Sequence, residues 1–257
     1  MKLSQVGAQL YTVRDHLKGL TQFAHTVDRL KRIGYSAVEL IHLDSVTDHE
    51  IANICDAAGI AVAAAHIRDT SILEQPESVA EKLQIIGSKI AVYAFPRGVN
   101  LASALEVEKL ADGLEQSAGV LNRYGLTLAY HNHALEFARV GNERVYDVIR
   151  SRAPGLSFEL DAYWAQYGGM NPESLVRSLG AKLVAFHLKD FGVVSEHAGV
   201  PFMTEVGSGN LDFRTLISEA ESGGCQWFIV EQDVTPGDPF DSLERSFRYI
   251  HDNLAAA

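Results

Sequence analysis

Several short apolar runs of this chain carry a histidine or a carboxylate at or next to their ends: AVEL with Glu39, AVAAAH with His66, LTLAYH with His131, LSFELD with Asp161, LVAFH with His187 and WFIVE with Glu231. Carboxylate oxygens and imidazole nitrogens together form a mixed donor set that suits Mn²⁺, Mg²⁺, Co²⁺ or Zn²⁺. Asp161, His187 and Glu231 are the strongest set, because they end three consecutive strand candidates. A fourth ligand is expected from YHNHALEF, where His131, His133 and Glu136 all remain candidates. Lys189, two residues after His187, shares its face and is suited to hold an anionic oxygen or polarise a carbonyl. Glu39 and His66 are placed to bind substrate hydroxyls. Gln9, Tyr11 and Arg14 in GAQLYTVRD are placed to close the mouth, and Trp164 to wall a sugar ring. Glu205, a candidate substrate contact of the pocket, opens EVGSGNLDF, whose glycines can bring backbone N–H groups to an anion.

These residues need elements that point one way. Each run follows a glycine by one to three residues (Gly34, Gly59, Gly125, Gly155, Gly180 and Gly224). A glycine ending a helix, then a short buried strand, then a polar residue is the order of a repeated αβ unit. Strands are expected at about 4–10, 36–41, 60–66, 89–95, 126–132, 156–161, 182–188 and 226–231. They are apolar on both faces, as parallel strands covered on both sides are. Between them run amphipathic periods such as LTQFAHTVDRLKRIG, with Thr47, Asn171, Asp212 and Asp241 as expected helix caps. Eight such units predict a single-domain (β/α)₈ TIM barrel over residues 1–257, with the polar strand ends meeting at one mouth. The connections at 190–211 and 133–143 exceed what a compact unit needs, and long loops at that face carry function.

A barrel of this kind takes about 250 residues, so 257 leave little for a second domain. The net charge of -11 and pI near 5.3 argue against a general nucleic-acid or anionic-membrane binder. Cys55 and Cys225 lie far apart and read as buried thiols of a reducing compartment, and no signal or membrane-spanning run is found. The expectation is a cytoplasmic enzyme acting on a small molecule, with a homo-oligomer left open.

Over nearly its whole length the chain resembles the xylose isomerase-like TIM-barrel superfamily, the group of sugar phosphate isomerases and epimerases. The resemblance rests on YHNH (130–133), FELDAYW (158–164), FHLKD (186–190), EVGSGNLDF (205–213) and IVEQD (229–233). It implies one divalent metal ion held at four strand ends by a Glu, an Asp, a His and a Glu. Asp161, His187 and Glu231 match the last three; the first position falls on His131, and Glu136 stands nearby as a substitute carboxylate. Epimerases of the family use the first and last glutamates as bases on opposite faces of a sugar. With His131 in place of one, Glu231 remains as base, with Lys189 and His133 as acids. That implies an isomerase or epimerase working through an enediolate on a sugar or keto-polyol. It also allows a dehydratase or lyase acting on an inosose or keto-glycoside.

Overall fold

The computed structural model describes residues 1–195 and 199–255. Eight parallel strands close a barrel: β1 (Val6–Gln9), β2 (Ala37–Leu40), β3 (Ala61–Ile67), β4 (Ile90–Tyr93), β5 (Thr127–His131), β6 (Ser157–Asp161), β7 (Leu183–Leu188) and β8 (Trp227–Val230). Each pairs with its sequence neighbours, and β1 closes on β8. Among the described residues eight longer helices wrap it: α1 (Leu20–Ile33), α2 (Asp48–Ala58), α3 (Pro76–Ile86), α4 (Ala104–Arg123), α5 (Val145–Arg152), α6 (Pro172–Leu179), α7 (Phe213–Ser222) and α8 (Pro239–Asn253). The expected strands all form, some shorter than the apolar runs that announced them.

The main core lies outside the barrel, where Val38, Leu40, Tyr130, Phe158, Phe186 and Phe228 of the strands meet Phe23, Leu30, Leu114 and Leu216 of the helices. Inside, the filling is small: Ala37, Ala63, Ala64 and Ala129 with Ile90, Val92 and Ile229. Strand side chains alternate, so positions two apart share a face. Glu39, His66, His131 and Glu231 therefore stand two residues beyond Ala37, Ala64, Ala129 and Ile229, directly towards the mouth. Short side chains below leave room for rings and carboxylates above.

Thr47, Asn171 and Asp212 cap their helices, each accepting a backbone N–H from three residues on. Asp241 does not: Asp238 caps α8, and Asp241 lies in the first turn. The Pro at position 239 fixes the first helical residue and moves the start back. The two long connections each fold a small hairpin, Arg139–Val140 with Glu143–Arg144 and Asp190–Gly192 with Phe202–Thr204. Residues 196–198 of the second lie outside the described residues. Both cysteines are free and buried. Among the described residues no helix is long and apolar enough to cross a membrane.

The EVGSGNLDF loop does gather backbone N–H groups around an anion, and that anion is the protein's own. The Asp190 carboxylate accepts from Gly207 N and Gly209 N at 2.9 Å, from Phe191 N at 2.8 Å and from Leu211 N at 3.2 Å. Gly209 is required by the close approach, since a Cβ there would lie 2.4 Å from Asp190 Oδ1 and 2.7 Å from the Phe191 carbonyl oxygen. Asp190→Ala would leave these donors facing a void. It is expected to cost at least about 2 kcal/mol in urea unfolding, since buried donors left unpaired cost roughly 1–3 kcal/mol.

Candidate metal centre

Strand register brings the polar residues together. His131 pairs with Glu159 across β5 and β6, Asp161 with His187 across β6 and β7, and Gln9 with Glu39 across β1 and β2. Glu159 stands two residues before Asp161 on the same strand face. Sequence reasoning that looked only at the ends of apolar runs misses it. The available signal was a glutamate inside a strand otherwise buried on both faces.

Among the described residues, two groups of donors have ligand atoms within 4.8 Å of one another: His131, Asp161, His187 and Glu231 at the mouth, and His66, His131, Glu159 and His187 beneath. The mouth set joins Asp161, His187 and Glu231 to His131. Asp161 is fully buried. Its Oδ1 caps the short helix Ala162–Tyr167, accepting from Trp164 N at 2.8 Å. Its Oδ2 has no hydrogen bond, although Lys189 Nζ lies 3.2 Å away and His187 Nδ1 3.7 Å away. Asn132, the middle residue of YHNH, holds this strand end. Its Oδ1 accepts from Asp161 N at 2.9 Å, and its Nδ2 donates to the Asp161 carbonyl at 3.3 Å.

Lys189 is buried within a ring of acids: Nζ lies 2.8 Å from Glu231, 3.2 Å from Asp161 and 3.1 Å from Asp233. Burial alone would lower its pKa, but Asp161, Glu231 and Asp233 override that and raise it, so the group is a fixed ammonium. Glu231 is the converse. Burial disfavours its charge, but Lys189 and His187 hold it well below the usual carboxylate range. For His187, burial is likewise outweighed by Glu159, Glu39 and Glu231, and its pKa is raised well above the ordinary value.

His131 is shifted the other way. Burial and then the neighbouring cations keep it neutral, the form in which an imidazole binds a metal. His133 is lowered to about 4, chiefly by burial. Its Nδ1 is buried without a hydrogen-bond partner, and its ring packs against Phe95 and Trp164.

The inner layer is an ion network. Glu39 Oε2 lies 2.6 Å from Gln9 Nε2 and 2.7 Å from His187 Nε2. Glu159 Oε2 lies 2.8 Å from His66 Nε2 and 3.1 Å from His131 Nδ1. Against the opposing effect of burial, His66 and His187 lower Glu39; burial and then Glu39 raise Glu159. Two close carboxylates are thus driven apart in proton affinity.

The other expected site residues scatter. Glu136 is not brought to the cluster. It turns behind β5, accepting from Tyr130 Oη at 3.1 Å and His133 N at 2.8 Å, with its carboxyl raised to about 7 by burial. The backbone turns at Ala134, so the step of two that aligned His131 and His133 does not extend to it. Glu205 is also held elsewhere, against α8 by Ser242, Thr204 and Arg245. Gln9 is spent on Glu39 and on Tyr11 N. Tyr11 is at the exposed rim with Arg14 stacked over its ring at 4.3 Å. Trp164 has its ring centroid 5.4 Å from Lys189 Nζ and its Nε1 buried without a hydrogen-bond partner. His66 is 12% exposed and lines an open pocket with His42, Asp48, Arg68 and Lys82.

The donors fit a divalent cation. Oxygen and nitrogen ligands converge, and Asp161 Oδ2 is a buried polar atom without a hydrogen bond. A family model described as xylose isomerase-like TIM barrel matches residues 27–252. A sugar phosphate isomerase/epimerase from Parabacteroides distasonis ATCC 8503 has the same fold, with a TM-score of 0.80 at 19% identity over 98% of this chain and 95% of that one. An L-ribulose 3-epimerase superposes with a TM-score of 0.75 at 13% identity over 99% and 95% of the two chains. A probable 3-DHS dehydratase from Bacillus anthracis superposes at 0.71 with 13% identity over 98% and 100%. No curated protein matches the chain in sequence.

The raised pKa of His187 carries a sign. In the metal-free protein the imidazolium is the favoured form at neutral pH, and a metal must displace that proton. Cation binding is therefore expected to release at least about one proton and to tighten as pH rises towards the His187 pKa. Titration calorimetry in buffers of different ionisation enthalpy measures this; a buffer-independent heat would contradict it.

Proposed function

The chain belongs to the xylose isomerase-like TIM barrel family, and from that premise we propose that it is a divalent-metal-dependent sugar isomerase or epimerase. It moves a proton next to the carbonyl of a small sugar or keto-polyol. The observation that carries this is the convergence of His131, Asp161, His187 and Glu231, from four consecutive strand ends, within 4.8 Å. These four would hold the cation. When bound, it supplies Lewis-acid polarisation of a carbonyl and its neighbouring hydroxyl, which lowers the cost of enediolate charge.

The remaining chemistry belongs to side chains. Glu231 takes the proton from carbon. In the resting site its basicity is suppressed by Lys189 at 2.8 Å and His187 at 3.0 Å. A substrate oxygen that accepts a hydrogen bond from Lys189 draws that ammonium away, so base strength develops when substrate is in place. Lys189 itself stays charged and stabilises the developing oxyanion. With its pKa lowered to about 4, His133 works as a neutral imidazole. It carries one donor and one acceptor nitrogen, suited to passing a proton between adjacent substrate oxygens. Trp164 and Phe95, flanking His133, offer the apolar wall for the ring.

A second reading, a dehydratase or lyase on an inosose or keto-glycoside, is favoured by one feature: His131 stands where a second glutamate base would be. It shares the first proton abstraction and differs in whether a leaving group departs from the β carbon.

Keto-sugars incubated in D₂O with manganese- or cobalt-loaded protein are expected to gain one deuterium at the carbon beside the carbonyl, seen by proton NMR. An unsaturated or dehydrated product would select the lyase, and no exchange with any keto-sugar of a broad panel would count against both. Asp161→Ala is expected to abolish bound metal by elemental mass spectrometry together with the exchange; a fully active metal-free variant would sink the proposal. His133→Asn is expected to keep the metal and lower kcat by about 10²–10⁴-fold, the usual range for a lost proton-transfer group.

A further inference from the structure

Resting on the metal reading above, we infer that Glu159 and Glu39 are positioning residues that set His131 and His187 on the metal through opposite ring nitrogens. A neutral imidazole has one lone pair for a metal and one N–H, and the partner of that N–H decides which nitrogen is which. His131 Nδ1 lies 3.1 Å from Glu159 Oε2. The contact is not closed into a hydrogen bond here; an Nδ1–H aimed at this carboxylate would leave Nε2 as the ligand atom. For His187 the rings are the other way round. Nε2 lies 2.7 Å from Glu39 Oε2 and 3.2 Å from Glu159 Oε2, whereas Nδ1 lies 3.0 Å from Glu231 and 3.7 Å from Asp161. His187 therefore presents Nδ1 to the mouth and Nε2–H to the inner acids.

Barrel register enforces this. Glu159 is paired directly with His131, and Glu39 with Gln9, whose Nε2 donates to Glu39 Oε2 at 2.6 Å. His66 bridges the two acids, 2.8 Å from Glu159 and 3.4 Å from Glu39, with its ring parallel to that of His187 at 5.9 Å. One strand, β6, thus supplies a ligand at Asp161 and, two residues earlier, the acid that orients another ligand. The rival arrangement puts a cation in the inner set of His66, His131, Glu159 and His187. With the mouth also filled, it would take both nitrogens of His187 and leave that ring without a proton.

The test is ¹⁵N NMR of the histidine rings in zinc-loaded, full-length wild type. The expected result is His131 protonated at Nδ1 and coordinated through Nε2, with His187 protonated at Nε2 and coordinated through Nδ1. The same tautomer on both rings, or either ring without a proton, overturns the inference. In parallel, Glu159→Gln and Glu39→Gln are titrated with zinc against a chelator. Roughly 10- to 100-fold weaker binding is expected, the usual loss for an orienting partner of a metal ligand, with the melting transition of the metal-free protein retained. Unchanged affinity overturns it, as does a wild type that binds two equivalents of zinc and loses one on Glu159→Gln. A wild type that takes up no zinc overturns the metal reading and this one together; zinc bound with the wrong tautomers overturns this one alone.

Discussion

Charge compensation inside a closed barrel governs this structure. Glu39, Glu159 and Asp161 are fully buried and Glu231 nearly so, with Asp233 at the edge. Isolated carboxylates would not ionise there at acceptable cost. They are tolerated because Lys189, His66 and His187 are threaded among them. The acids still outnumber the cations, so the interior is poised to accept further positive charge. Three perturbed groups at the mouth follow from this balance: the depressed Glu231, the raised His187 and the fixed ammonium of Lys189.

The network depends on what lies beneath and around it. Alanines at the floor make space for imidazoles, and the apolar burial that stabilises the fold is moved to the outer faces of the strands. The polar interior is left to serve the site. Side chains set by strand register are held more closely than those on loops, and the contrast is visible here. His131, Asp161 and His187 belong to strands, whereas Tyr11 and Arg14 are exposed on the 3-10 helix Leu10–His16 that follows β1.

That contrast also explains what was legible in the sequence. The alternation of glycine, apolar run and polar end gave away six of the strands and the meeting of Asp161, His187 and Glu231, because parallel strands leave no choice about direction. Of the three alternatives in YHNHALEF, His131 lies in the cluster, while Glu136 is taken behind the strand once the chain turns at Ala134, a turn that no spacing rule announces. Glu159 was hidden by its position inside a run, where a hydrophobic pattern invites the eye to the end. Glu205 misled because its neighbourhood is glycine-rich, while the partners that claim it, Ser242 and Arg245, come from the last helix. Such pairings across the fold have no local signature. The glycine loop does form an amide cradle, but its occupant stands some twenty residues earlier in the chain, at Asp190.

That occupant has a consequence for how the protein tolerates change. Asp190 and the amides of Gly207, Gly209 and Leu211 clamp the two feet of the insertion that leaves β7, with the Asp190–Gly192 and Phe202–Thr204 hairpin paired just above. By tying the amides that precede α7 to the residue that follows β7, the clamp couples the seating of that helix to the strand that carries His187, so a change at either end is felt at the other.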